Sequence, residues 1–209
     1  DGGGGIMPYE YKNNNFINAL QWAIGLELFL LINDPWRVFL TTDHPNGAPF
    51  TSYPELLRLL MDLDFRNSVI NQINIDAQEI SNLKSIKRTY SFYEIAIMTR
   101  AAPAKILGLN DRGSLKPGSI ADISIYKPQK NFEKMFKNAE YVFKNGVEIV
   151  RNGKVLRHFK TSTKCLNLSY DHKIHKKIKD WFDNYYSLNL RDFEIDENYF
   201  NEDNFEFIN

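Results

Sequence analysis

The 209-residue sequence predicts an α/β fold. Three observations carry this reading. An apolar helical stretch at residues 18–31 is followed at once by a short apolar run at 36–42 that reads as a strand. After Gly108 the helical spacing gives way to alternation with Asn-Gly turns, and from Lys173 an amphipathic helical pattern returns. A helix-then-strand order is the kind that builds parallel barrels, whereas the alternating segments form a small antiparallel unit.

Each element has a local reason. Residues 2–5, four glycines, would let backbone approach a ligand closely and serve equally well as a connector. In 18–31, Ala19, Ala23, Leu26 and Leu30 recur at the spacing of a core-facing stripe, and Asp34-Pro35 ends the helix. The stretch 16–32 contains Asn18, Gln21 and Glu27 and is shorter than the ~20 apolar residues of a membrane span, so a buried helix is expected. The strand at 36–42 stops on Asp43, followed by His44-Pro45-Asn46-Gly47. In an α/β barrel the active site is assembled at the C-terminal ends of strands, which makes Asp43 the first candidate for chemistry. Asp before Pro and Asn-Gly also begins Asx-turns or caps helices, and that role stays open for it.

Pro54 opens a helix with Leu56, Leu59, Leu60 and Leu63 toward the core. Residues 67–81 are polar and read as a linking surface segment. Ser91 and Glu94 form a capping-box pattern for a helix through Met98, and Pro103 starts a further turn in which Ala102, Ala104 and Leu107 pack tightly. Gly113, Pro117 and Gly118 supply turns before a strand at 120–126. Residues 141–150 form a hairpin around Asn145-Gly146, with a second turn at Asn152-Gly153. Ile174, Ile178, Trp181, Phe182 and Tyr185 share one helical face, a packing face before it is anything else, and residues 186–209 alternate aromatic and acidic side chains.

Composition bounds the function. With 43% hydrophobic and 25% charged residues the chain is ordinary globular protein, but a whole (β/α)8 barrel takes roughly 250 residues. The chain opens on Asp1 without an initiator Met, which is expected of a piece of a longer protein or of a start lying upstream or at Met7. Basic and acidic residues balance at 26 each, which argues against a dedicated nucleic-acid surface. Residues 127–179 nevertheless hold fourteen Lys or Arg against four acids, and 192–206 hold seven acids and no base, blocks that serve as solvated surface or as a docking patch for a neighbouring subunit. The single Cys165 excludes an internal disulfide and a cysteine-ligated iron–sulfur cluster, and suits a reducing cytoplasm. His172 and His175 are spaced i, i+3 but complete no known metal motif, and His158 stands alone among basic residues.

Several segments together are more specific. Asn18-Ala-Leu-Gln-Trp-Ala-Ile-Gly-Leu-Glu-Leu28, Asp34-Pro-Trp-Arg37, Thr41-Thr-Asp-His-Pro-Asn-Gly47, Met98-Thr-Arg-Ala-Ala-Pro-Ala-Lys105 and Gly118-Ser-Ile-Ala-Asp-Ile123 resemble the C-terminal part of the A subunits of formylmethanofuran dehydrogenases, within the amidohydrolase superfamily. The resemblance runs to about Gly153 and is weak beyond it. It implies the C-terminal portion of an amidohydrolase (β/α)8 barrel over residues 1–108, part of a small β-sandwich domain over 109–160, and a helical, acidic and aromatic tail over 161–209.

It further implies that Asp43 corresponds to the last-strand Asp that ligates a metal and takes a proton from the attacking water. The superfamily's His-x-His pair, carboxylated Lys and further His ligands have no counterpart here, so a binuclear zinc site would take its other ligands from outside this chain. His44, Asn46 and Arg37 are candidates for binding substrate at the same rim. The implied reaction interconverts formate plus methanofuran and formylmethanofuran, in the cytoplasm of methanogenic archaea. Tungsten or molybdenum pterin and iron–sulfur clusters are then expected only in partner subunits, which reduce carbon dioxide. No nucleic acid and no membrane span belong to this picture, and the isolated chain is expected to be inactive. A component of the related formyltransferase/hydrolase complex, or a non-catalytic scaffold retaining the fold, are the alternatives.

Overall fold

A computed structural model describes residues 11–44, 47–158, 162–166, 169–193 and 205–208. The chain divides after His158 into two compact units.

In the first unit, α1 (Phe16–Leu31) starts where Asn15 accepts a hydrogen bond from the Asn18 N–H at 3.0 Å. Its buried residues are Ala19, Ala23, Leu26 and Leu30, the stripe the sequence predicts. At its C-terminus the carbonyls of Phe29 and Leu30, which have no partner within the helix, accept from Arg88 at 3.5 and 3.3 Å, and Tyr90 donates its hydroxyl to Phe29. A cation there also complements the negative end of the helix dipole. The other face of α1 carries Ile17, Ile24, Leu28 and Leu31 exposed, so the helix is half-buried among the described residues rather than enclosed.

The expected strand at 36–42 is not formed. Asp34 accepts the Trp36 N–H at 3.0 Å and winds Pro35–Arg37 into a 3-10 turn. Residues 38–42 then run without ladder partners among the described residues, because no second apolar strand lies beside them. Four short helices follow: α2 (Tyr53–Met61), α3 (Leu63–Ile70), α4 (Ile75–Ile80) and α5 (Phe92–Ala96). Residues 67–81 are therefore no surface linker. Asp62 caps α3 and Asn74 caps α4, while Ile70, Ile73 and Ala77 are buried. The polar residues there start and stop helices, and the few apolar ones supply the core.

At α5 the capping box of Ser91 and Glu94 is present, and the helix continues through a π turn at Ile97–Ala101 into α6 (Ala102–Ile106). Ala102 and Ala104 are buried as expected, but Leu107 is exposed, since the helix has already ended in front of Gly108. The core is one cluster joining α1 through the π turn, and fully burying a leucine such as Leu30 or Leu60 contributes roughly 2 kcal/mol.

The antiparallel sheet has the order β1 (Ile123–Ile125), β2 (Tyr141–Lys144), β3 (Val147–Arg151), β4 (Lys154–Val155). Both predicted Asn-Gly turns are found, with φ of 51° and 76° at Asn145 and Gly146 and 51° and 72° at Asn152 and Gly153. Between β1 and β2, α7 (Phe132–Lys137) packs on α2, where Arg58 pairs with Glu133 at 3.4 Å. Met135, Phe132 and Phe136 thereby join the sheet segment to the helical core.

The second unit contains a parallel pair, β5 (Thr163–Leu166) with β6 (Phe205–Ile208), and α8 (Ile174–Tyr185). Among the described residues no helix is long and apolar enough to cross a membrane.

Candidate active site

The acidic turn after residues 38–42 is built by backbone geometry. Asp43 adopts a φ of 49°, a left-handed conformation that Asp tolerates better than most side chains. Its N–H donates to Thr41 Oγ1 at 3.1 Å, its carbonyl accepts from Gly47 at 3.0 Å, and Ala48 closes the loop onto the Thr42 carbonyl at 2.8 Å. Gly47 is required by space: a Cβ there would lie 2.6 Å from the Thr42 oxygen. The exposed Asp43 carboxylate accepts no hydrogen bond from the described residues, and the next helical element is capped at Pro49 instead. Thr42 is buried, and its Oγ1 has no partner among the described residues.

His44 stacks on Phe50 with ring centroids 4.2 Å apart. Arg37 is paired with Asp34 at 3.2 Å, so its guanidinium is already engaged locally. Asn46 lies outside the described residues, as do the glycines at 2–5.

Leu40 and Phe50, either side of this turn, also line a cleft of about 700 Å3. Its far walls are Ile95, Met98, Thr99 and Arg100 of the helix carrying the π turn, with Tyr53, Tyr126, Phe136 and Lys137. The lining is that of a small-molecule site, mostly apolar and aromatic with two cations. The π turn is the one feature of this wall without any signal in the sequence, and such turns recur at functional sites. Arg100 and Lys137 could be placed only once helix and sheet segments are folded together. Another residue outside the sequence reading is Glu27, whose Oε1 is buried on apolar α1 without a partner among the described residues; a lone carboxylate in an apolar helix was its signal.

Two carboxylates outside the turn fix its surroundings. Burial works against ionisation of Glu94, but the Ser91 N–H and hydroxyl and the Arg88 guanidinium, 2.5 Å away, hold it below the usual carboxylate range. Burial likewise opposes the charge of Asp122, which Lys144 at 2.5 Å, the Asn145 N–H at 2.9 Å and Arg112 at 3.4 Å outweigh. Asp122 thus ties β1 to the β2–β3 turn and serves structure. Among the described residues no three His, Cys, Asp or Glu side chains converge on one point, so these residues do not themselves complete a metal centre. His172 and His175, with Tyr170 bonded to the latter at 2.6 Å, are no exception.

A helical layer joined to an antiparallel meander, with an acidic turn beside an aromatic cleft, defines an α/β protein with the lining of a small-molecule enzyme. The chain belongs to the amidohydrolase family, which residues 2–155 match. It is 42% identical over 200 residues to the A subunit of the formyltransferase/hydrolase complex Fhc of Methylorubrum extorquens, covering 96% of this chain and 36% of that protein. Protein FwdA of Methanocaldococcus jannaschii is 38% identical over 211 residues, covering 95% of this chain and 37% of that protein. The crystal structure of the FhcABCD complex from Methylorubrum extorquens with methylofuran contains a chain that matches with a TM-score of 0.80 and 40% identity, over 96% of this chain and 37% of that one. The family resemblance of the sequence motifs is borne out, and it extends past Gly153 rather than fading there. The chain spans little more than a third of the length of the curated relatives it matches.

Proposed function

We propose that this chain is part of the amidohydrolase subunit of a cytoplasmic formyltransferase/hydrolase or formylmethanofuran dehydrogenase complex, acting on the N-formyl group of a methanofuran-type amine. The observation that carries the reading is 42% identity to the Fhc amidohydrolase-type relative across 96% of the chain, including the whole of the turn that presents Asp43. Support for the substrate class comes from the solved relative, whose complex was determined with methylofuran. The aromatic lining of the cleft, with Arg100 and Lys137 at its wall, suits an aromatic, anionic ligand of that kind.

Cleaving or forming a formamide requires a proton to leave the attacking oxygen or nitrogen and another to reach the leaving group. Asp43 is the group we assign to carry that proton, since its carboxylate is exposed, at the mouth of a rigid turn, and not engaged by the described residues. His44, braced by Phe50, would orient the substrate, with Asn46 and Arg37 as further contacts. The zinc pair implied by the resemblance would take at most one carboxylate from Asp43 and its other ligands from polypeptide outside this chain, as would a barrel sheet in which residues 38–42 find strand partners. Formate as second product, and a link to carbon dioxide reduction through partner subunits holding pterin and iron–sulfur clusters, complete the reading.

The test is Asp43→Asn in the full subunit within its complex. Turnover of the formylated amine should fall ~10²- to 10⁴-fold, the range typical of losing general acid–base catalysis, with the melting temperature unchanged. Near-normal turnover would remove Asp43 from the site and leave the scaffold reading.

A further inference from the structure

The family match ends at Val155, close to the break after His158 between the two units. Both curated relatives nevertheless match 95–96% of the chain, too much for residues 159–209 to lie outside the matched region. The second unit is therefore shared with these relatives beyond the part common to amidohydrolases, and one of them is by name a component of a complex.

Within this unit α8 carries Ile174, Ile178, Trp181 and Tyr185 at i, i+4, i+7 and i+11, a single stripe along the helix. All four are exposed, Trp181 by 52% and Tyr185 by 75%. The neighbouring Phe182 is instead engaged inside the unit, stacked on Tyr186 at 4.5 Å and edge-on to Phe193 at 5.5 Å. At 100° per residue Lys173 and Lys177 fall along one border of the stripe. Neither has an ion-pair partner among the described residues, whereas Lys179, on the opposite flank, is held by Asp183 at 2.5 Å.

We propose that α8 is an assembly helix that lays this stripe into an apolar groove on an adjacent subunit, whose carboxylates line the border facing Lys173 and Lys177. The identity of the partner rests on the function proposed above; the docking face itself does not. Recognition of an amphipathic helix in a groove is read through anchors at this spacing, and exposed Trp and Tyr are the side chains that most often dominate such interfaces. Lys173 and Lys177 supply charge complementarity and register rather than most of the affinity. A lipid surface is the other environment for a basic amphipathic helix, but the shared second unit of a complex-forming relative and the acids Asp180 and Asp183 on α8 favour a protein groove.

The experiment uses the full subunit co-expressed with its neighbouring subunits, read by native mass spectrometry and by titration of the partner. Trp181→Glu and Ile178→Glu should each weaken the affinity for one partner about 30-fold or more, the level that marks an interface hot spot. Trp181→Phe should retain assembly, and helix content and melting of the subunit should match wild type in all three. Lys173→Glu with Lys177→Glu should weaken assembly and flatten its salt dependence. Wild-type affinity in Trp181→Glu and Ile178→Glu would overturn the proposal. Vesicles of phosphatidylglycerol that sediment the wild-type subunit but not Trp181→Glu, with assembly unaffected, would overturn it in favour of a membrane surface. Turnover is scored separately: an assembly that forms through α8 yet lacks formyl transfer or hydrolysis refutes the proposed function and leaves the docking face standing.

Discussion

Replacing Arg66 by methionine should be among the most damaging single changes to the first unit. Arg66 is fully buried on α3, and its guanidinium donates to three carbonyls: Leu59 at 3.0 Å, Ile86 at 3.0 Å and Arg88 at 2.9 Å. Burial pushes its pKa down and Asp62 pushes it back up, so the group stays charged. One side chain thus joins the end of α2 to the segment 86–88, and Arg88 in turn holds the C-terminus of α1 and Glu94. Methionine fills much of the volume but leaves three acceptors without a donor, each costing ~1–3 kcal/mol. Part is recovered because no charge is then buried and because Nε, which has no partner among the described residues, is removed. The expected loss is about 3–5 kcal/mol, or roughly 10 °C in Tm for a protein of this size. Urea unfolding followed by tryptophan fluorescence, with thermal melting alongside, measures it. A change below ~1 kcal/mol would refute the reasoning, since the three carbonyls would then have found water or had never depended on Arg66.

Three further outcomes follow from the site and its supports. His44→Ala should raise KM more than it lowers kcat, because the ring braced on Phe50 is placed to orient substrate and not to move the proton; a purely kcat effect in steady-state kinetics would reverse that assignment. Gly47→Ala forces a shift against the Thr42 carbonyl and should cost about 1–3 kcal/mol while displacing Asp43, so activity should fall before global unfolding is detected by circular dichroism. Asp122 and Glu94 have folded pKa values below their unfolded ones. Their contribution is complete above the ordinary carboxylate value near ~4 and is lost as pH falls through the lower folded values. Melting temperature should therefore drop on acidification below that point, and Asp122→Asn should make the drop shallower.

The elements that could be read from sequence are those whose cause is local. The α1 stripe, the Ser91–Glu94 box and both Asn-Gly turns each depend on residues within a few positions of one another, and all appear where expected. What could not be read depends on partners far along the chain. An apolar run such as 38–42 becomes a strand only beside another strand, and Asp34 was free to wind its start into a 3-10 turn. Residues 67–81 looked like linker because their polar majority hides that Ile70, Ile73 and Ala77 share the core with α1. The same division holds at the site. Asp43, His44 and Arg37 are contiguous enough to be picked out, whereas Arg100, Tyr126 and Lys137 meet in the cleft only because α7 packs on α2.

The π turn at Ile97–Ala101 works as a phase shift in the helix that carries it. A wider turn takes in one more residue than an α-helical turn, so everything after it is rotated by about 100° relative to everything before. Met98 faces the core on one side of the shift and Ala102 and Ala104 do so on the other, while Arg100, between them, is spared and left on the cleft wall. Deleting a single residue within 97–101 would let the helix regularise and would exchange which side chains meet the core. At this position, then, the length of the chain and not its chemistry decides that an arginine faces the cleft.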